Sequence, residues 1–146
     1  MEIVGIVSHL LHEKDSHIWS IGPDATVYEA IELMAAKNIG AVPVVERGKL
    51  LGMLSERDYT RKVILKGKSS KKTLVHEIMS ARLVTVGLDD SVGECMRLMT
   101  EKRVRHLPVM EDGDFVGILS IGDVVRWMIS AQTAAIDQLT KYIYGE

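Results

Sequence analysis

Two kinds of hydrophobic period alternate along this chain. Val27, Ala30, Ile31 and Met34 share one face at helical spacing, and Val92, Cys95, Met96 and Met99 do the same further on. Each run follows a capping-box pattern, Thr26-x-x-Glu29 and Ser91-x-x-Glu94, in which a hydroxyl caps the helix start and the acid returns the bond. Shorter apolar runs predict strands over 41–46 and 49–55, and again over 106–111 and 114–120. Arg47-Gly48 and Asp112-Gly113 read as the turns between them. Pro43 and Pro108 near the start of each first strand predict an edge or first-strand position, because proline cannot donate to a ladder. A last helix begins at Ser55 and at Ser120, while Ser20 and Thr85 lie in short extended stretches leading in. The order is β-α-β-β-α, twice, an α/β (α+β) fold. Val7-x-x-Leu10-Leu11 resembles Val75-x-x-Ile78-Met79, so a short lead-in helix is expected for each unit.

The alternation is an internal repeat. Residues 18–64 lie over residues 83–129 without a gap, and the identities include Gly22/Gly87, Asp24/Asp89, Pro43/Pro108, Gly52/Gly117, Ser55/Ser120, Asp58/Asp123 and Arg61/Arg126. The expected division is a first domain over 3–64, a linker over 65–72, a second domain over 73–130 and a helical extension over 131–146. No Gly or Pro interrupts the chain from Asp123 to Ile143, and Ile129, Gln132, Ile136, Leu139 and Ile143 keep helical spacing. This stripe is expected to pack against a partner subunit, giving a homodimer, or back on its own chain.

Composition narrows the function. The 146 residues are 47% hydrophobic and 26% charged, with a formal net charge of −2, which gives no push toward nucleic acid or an anionic membrane. No apolar run approaches the roughly 18 residues that span a bilayer. The apolar N-terminus lacks the basic region and cleavage site of a signal peptide. Cys95 is the single cysteine, aligned with Ala30, and reads as a small core residue. A cytoplasmic location is expected. The segment Lys66-Gly-Lys-Ser-Ser-Lys-Lys72 lacks the spacing of a phosphate loop and reads as a solvated linker. His9, His12, His17 and His76 are not completed by a Cys or carboxylate pattern, so no metal site is expected. No nucleophile elbow, metalloprotease helix or triad signature is present, and the chain reads as no enzyme.

The repeated Gly-h-h-Ser-x-x-Asp segments (h, hydrophobic), Gly52-Met-Leu-Ser-Glu-Arg-Asp58 and Gly117-Ile-Leu-Ser-Ile-Gly-Asp123, resemble those of the CBS-domain family. Val42-Pro43-Val44 and Leu107-Pro108-Val109 fit the same pattern. The resemblance implies a pseudo-twofold pair, often called a Bateman module, with two clefts between the copies that take adenine nucleotides. By that resemblance, Asp58 and Asp123 accept hydrogen bonds from ribose hydroxyls, and Ser55 and Ser120 help hold phosphate at a helix N-terminus. Backbone around Val42, Pro43, Leu107 and Pro108 would flank the adenine.

The chemistry is sound on first principles. A helix start offers free N–H groups to phosphate, and a carboxylate matches a vicinal diol. A plain helix cap gives the same Ser-x-x-Asp pattern, and the two roles can coexist. Arg105 and His106 precede Leu107 in the second copy, where the first has Gly40-Ala41; regulatory members of the family carry a basic pair here, so both are expected to meet phosphate. Arg57, in the first turn after Ser55, would be relieved by a bound anion, and its counterpart is Gly122. Ser20 and Thr85 are expected near adenine or phosphate. The expected function is regulatory: AMP, ADP, ATP or NAD binds, and an effector protein in trans reads the occupancy. An interaction module whose clefts stay empty, or a small nucleotide-using enzyme, are the competing readings.

Overall fold

The structure, a computed structural model, describes residues 4–14 and 17–144; residue 3, where the first expected domain begins, and residues 145–146 of the expected extension lie outside that range. Helices α1 (Val7–Glu13), α2 (Val27–Lys37), α3 (Glu56–Tyr59), α4 (Val75–Ile78), α5 (Val92–Lys102) and α6 (Ile121–Tyr144) alternate with strands β1 (Ala41–Glu46), β2 (Lys49–Ser55), β3 (Val86–Gly87), β4 (His106–Glu111) and β5 (Asp114–Ser120). Helix α3 continues through a π-helical turn, Thr60–Ile64.

Local chemistry sets these limits. The Thr26 hydroxyl accepts from Glu29 N–H at the start of α2, and Glu29 returns the bond to Thr26 N–H. At α5 the Ser91 hydroxyl caps as expected, but the Glu94 carboxylate is taken up by Arg97 one turn on, so only half of the expected box forms. Both hairpins turn through paired positive φ angles, Arg47 and Gly48 at 52° and 78°, Asp112 and Gly113 at 50° and 86°. That is the mirror-image turn geometry whose twist matches the strands.

Both prolines lie in the first strand of a hairpin, as expected, but Pro108 does not mark an edge. Strand β4 lies between β3, its parallel partner, and β5, its antiparallel one. Strand β1 likewise pairs with β2 and, through Val44, with Ile21. Proline is tolerated because Pro43 stands opposite Met53, whose N–H and carbonyl face away to Ser80. The Pro43 carbonyl meets Ile21 N–H on the other side, where the short parallel pairing begins. The missing N–H therefore removes no ladder bond.

The chain divides into two compact units, His17–Leu83 and Val84–Glu146 joined by Met1–Ser16. Each lead-in helix therefore completes the core of the repeat that does not follow it. The expected boundaries, 3–64 and 73–130, instead group α1 with the first repeat and α4 with the second. In the first unit Val75 and Ile78 of α4 pack with Val27, Ala30, Met34, Val42, Val44 and Leu54. In the second, Val7 and Leu10 of α1 pack with Val92, Cys95, Met99, Leu107, Val109 and Leu119. The docking bonds repeat as well: Val75 N–H donates to Ala25 and His76 N–H to Pro23, as Val7 N–H donates to Asp90 and Ser8 N–H to Leu88. Gly52 and Gly117 let the lead-in segments close down on the sheet. A Cβ at Gly52 would lie 2.7 Å from the Ser80 carbonyl, and one at Gly117 would lie 3.0 Å from Leu11.

The units differ in their last helix. The first stops at Ile64, while α6 runs on for 24 residues. Ile129, Ile136, Leu139 and Ile143 of α6 are exposed, so the stripe is not buried within this chain.

Candidate functional site

In the first unit, strand β2 delivers Ser55 to the N-cap of α3. Its hydroxyl accepts from Asp58 N–H at 3.1 Å, and Asp58 Oδ2 accepts from both Ser55 N–H and Ser55 Oγ–H at 3.0 Å. The other oxygen, Oδ1, faces Lys62 Nζ at 3.2 Å, one turn along the same helix. Lys62 Nζ also donates to the Ile78 carbonyl at the end of α4. The carboxylate is thus held at the helix start, where the free N–H groups and helix dipole favour it.

The second unit repeats the cap and changes the counter-ions. Asp123 Oδ2 accepts from Ser120 N–H at 2.7 Å, and Ser120 Oγ accepts from Asp123 N–H at 3.1 Å. The position of Lys62 is taken by Trp127, whose indole N–H bonds the Val4 carbonyl and whose ring lies against Gly5. Two other cations serve Asp123. Arg126 reaches Oδ1 at 2.5 Å, and Lys14, just past α1, reaches Oδ2 at 2.8 Å while also donating to the Ile118 carbonyl at 2.7 Å. Gly122 leaves room for that arginine: a Cβ there would lie 3.3 Å from the Arg126 guanidinium. Asp123 is 8% exposed. Burial pushes its pKa up, but bonds from Lys14 and Ser120 outweigh this and hold it below the ordinary 3.8.

His106 opens β4 and is half-buried; burial pushes its pKa below the ordinary 6.5, Asp123 pulls it up, and Lys14 and Arg105 push it down. Arg105 is exposed, and its carbonyl accepts from Ile121 N–H at 2.8 Å, the first amide of α6. His106, Arg105, Lys14 and Asp123 therefore share one electrostatic neighbourhood. Arg57 is exposed in the first turn of α3. Ser20 and Thr85 are exposed, each one residue before its parallel pairing, at Ile21 and Val86. Val42 and Leu107 are fully buried core side chains, and Pro43 and Pro108 are buried.

Lys14 and Arg126 were not singled out by the sequence reading. Arg126 belongs to the identical pair Arg61/Arg126, a repeated charge one turn past the repeated Asp. Lys14 is invisible in the register of the main repeat. In the shifted register that aligns the lead-in helices, Val7 with Val75 and Leu10 with Ile78, it falls opposite Arg82, a basic residue following both. Cys95 is fully buried, and its thiol is pushed up to about 11 by that burial and by Asp90 and Glu94, which suits a core residue. His9 stacks on Trp127 and His12 bonds the Ser8 carbonyl.

Two copies of one helix–hairpin–helix unit, preceded by a single bridge at Ile21 in the first copy and by strand β3 in the second, each with a carboxylate fixed in the cap that follows its second hairpin strand, define a tandem-repeat domain pair. The chain matches the pattern of the CBS domain over residues 14–64 and 75–130, and it belongs to that family. It is 42% identical over 135 residues to the mitochondrial CBS domain-containing protein CBSX3 of Arabidopsis thaliana, covering 89% of this chain and 65% of that protein, so it spans just under two thirds of that relative. A putative signal-transduction protein with CBS domains from Burkholderia ambifaria MC40-6 superposes with a TM-score of 0.85 at 45% identity, over 88% of this chain and 96% of that one. CBSX2, solved in complex with AMP, superposes with a TM-score of 0.68 at 26% identity, over 79% of this chain and 90% of that one. These names describe CBS-domain and signal-transduction proteins rather than enzymes. No helix among the described residues is long and apolar enough to cross a membrane.

Proposed function

We propose that this protein is a non-catalytic regulatory module that binds adenine nucleotides, of the AMP, ADP, ATP or NAD type, at its two Ser-x-x-Asp helix starts. Ribose hydroxyls bond Asp58 or Asp123, and phosphates meet Arg57 in one unit and Arg105 with His106 in the other. The observation that carries this reading is the duplicated cap: each unit presents a carboxylate at a helix start with cations beside it, Lys62 at Asp58 and Lys14 with Arg126 at Asp123. The AMP complex of the related CBSX2 supports the ligand class. Occupancy is passed on by a conformational change to a partner protein, since the ligand can shift an equilibrium only through its differential affinity for two arrangements. The exposed Ile129, Ile136, Leu139 and Ile143 face of α6 supports a homodimer as the form in which the module works.

Equilibrium titration calorimetry with AMP, ADP, ATP, NAD and S-adenosylmethionine tests the reading. Saturable binding of a phosphorylated adenosine compound, weakened in Asp58→Ala or Asp123→Ala, is expected. Absence of binding to every compound, or undiminished affinity in the double variant, overturns it. Light scattering on the same sample is expected to give a dimer mass, and substitution of Ile136 and Leu139 by Ser a monomer.

A further inference from the structure

The lone pairs of Asp123 are nearly spoken for. A carboxylate offers about four acceptor positions, two on each oxygen. Oδ2 carries both the Ser120 N–H and the Lys14 ammonium, and Oδ1 carries Arg126. A vicinal diol that gives one hydrogen bond to each oxygen finds room on Oδ1 and none on Oδ2. The Ser120 amide is fixed by the cap. The donor free to leave is Lys14, an ammonium on a flexible four-carbon stem with 31% of its side chain exposed.

Asp58 presents a different problem to the same diol. Its crowded Oδ2 is shared by the Ser55 N–H and the Ser55 hydroxyl, and Lys62 sits on the other oxygen. A hydroxyl turns away about its C–O bond without moving a charge. Filling the Asp58 position therefore displaces no cation, whereas filling the Asp123 position does.

Once released, the Lys14 ammonium retains the Ile118 carbonyl as a partner and lies in a neighbourhood it shares with Arg105 and His106. The negative partner it has lost is best replaced by an anion brought by the ligand. Building on the nucleotide reading above, we propose that Lys14 is a phosphate-recognition residue of the Asp123 unit: it neutralises Asp123 until ribose takes that carboxylate, then transfers to the phosphate of the same ligand. It follows that this unit selects phosphorylated adenosine over adenosine itself, and that binding is felt directly by the segment ending α1.

The test uses the full chain carrying Asp58→Ala, so that the Asp123 unit is read alone, with adenosine and AMP as calorimetric probes. Adding Lys14→Met is expected to weaken AMP by about tenfold or more, corresponding to roughly 1.4 kcal/mol, and to leave adenosine unchanged or tighter. Lys14→Arg keeps the charge and is expected to restore the preference for AMP, which a merely structural loss would not predict. An AMP-to-adenosine affinity ratio that stays the same in Lys14→Met overturns the inference. So does an Asp58→Ala protein that binds neither probe while the unsubstituted protein does, and in both cases the nucleotide reading survives. If the unsubstituted protein binds neither probe nor any other adenine nucleotide, the nucleotide reading falls and this inference falls with it.

Discussion

Asp58 and Asp123 occupy the same cap in two copies of one unit, yet they are neutralised from different parts of the chain. Asp58 meets Lys62 from its own helix, while Asp123 meets Arg126 from its own helix and Lys14 from beyond the lead-in helix. Several exchanges separate them: Trp127 replaces Lys62 and packs its indole on Gly5 and the Val4 carbonyl, Gly122 replaces Arg57 beside Arg126, and Lys14 comes in from the end of α1. The repeat preserves what the backbone needs, the cap and the core, more strictly than what surrounds the charge. Duplicated function can therefore diverge without the fold paying for it.

If the framework is truly doubled, its loss should cost the same in both units. Leu54 and Leu119 fill equivalent positions and are fully buried. Leu54→Ala and Leu119→Ala should each destabilise by about 2–5 kcal/mol, and by amounts within about 1 kcal/mol of each other. Urea unfolding followed by circular dichroism measures both. A large inequality would break the equivalence and show that one core tolerates a cavity the other does not.

Most of that framework was legible in the sequence because it rests on local chemistry and short-range period. The α2 and α5 faces, the Arg47-Gly48 and Asp112-Gly113 turns and the Ser55 and Ser120 caps need only neighbours within a few residues. Pro108 misled as an edge marker because strand position depends on which residues flank the other side of the strand. Pro43 is flanked on both sides, by β2 and by the bridge at Ile21, yet costs no ladder bond because Met53 turns its polar groups to Ser80. Membership of α1 was equally hidden, since its apolar face, Val7 and Leu10, fits either copy by pattern. At the site, the Asp and Ser positions were readable from repetition. Lys14 was not, because its partner lies 109 residues away.

The carboxylates should separate next. Replacing Asp123 by Asn keeps its shape but leaves Lys14 and Arg126 without their shared anion. With the carboxylate buried and both cations partly solvated, the loss near neutral pH should be about 1–2 kcal/mol. Asp58→Asn, whose partner Lys62 is more exposed than Lys14, should cost less than about 1 kcal/mol. The Asp123 contribution also has a pH signature. Its folded-state pKa lies below the ordinary 3.8, so its stabilisation is complete above that value and is lost as pH falls through the lower folded-state value. Unfolding free energies of wild type and Asp123→Asn should therefore converge on acidification below pH 3.8. Parallel curves would detach Asp123 from this role.

His106 adds a second window to the same unit. Burial depresses its pKa below 6.5, so the folded chain resists its protonation, and stability should decline as pH falls from 6.5 toward the folded-state value. The first unit has Ala41 at this position and no such group. His106→Ala should flatten that segment of the stability–pH curve, whatever it does to the absolute stability. A curve of unchanged slope would place the titration elsewhere.

The smallest expected difference lies in the two helix caps, and it tests whether a shared motif has a shared role. Glu29 closes the box on Thr26 N–H at 3.3 Å, so Glu29→Ala should cost roughly 0.5–1 kcal/mol through the lost bond and the lost charge at the helix start. Glu94 stands in the same motif but bonds Arg97, which also bonds Glu101. Glu94→Ala should therefore lower the melting temperature less than Glu29→Ala does. Arg97→Ala would release Glu94 to return to Ser91 N–H, exchanging an exposed ion pair for a completed box. Its melting temperature should stay close to that of the wild type, and Glu94→Ala should then cost more in the Arg97→Ala background than alone. If the two substitutions are instead additive, the carboxylate at position 94 has no access to the cap, and the capping-box pattern in this copy describes sequence ancestry rather than a bond held in reserve.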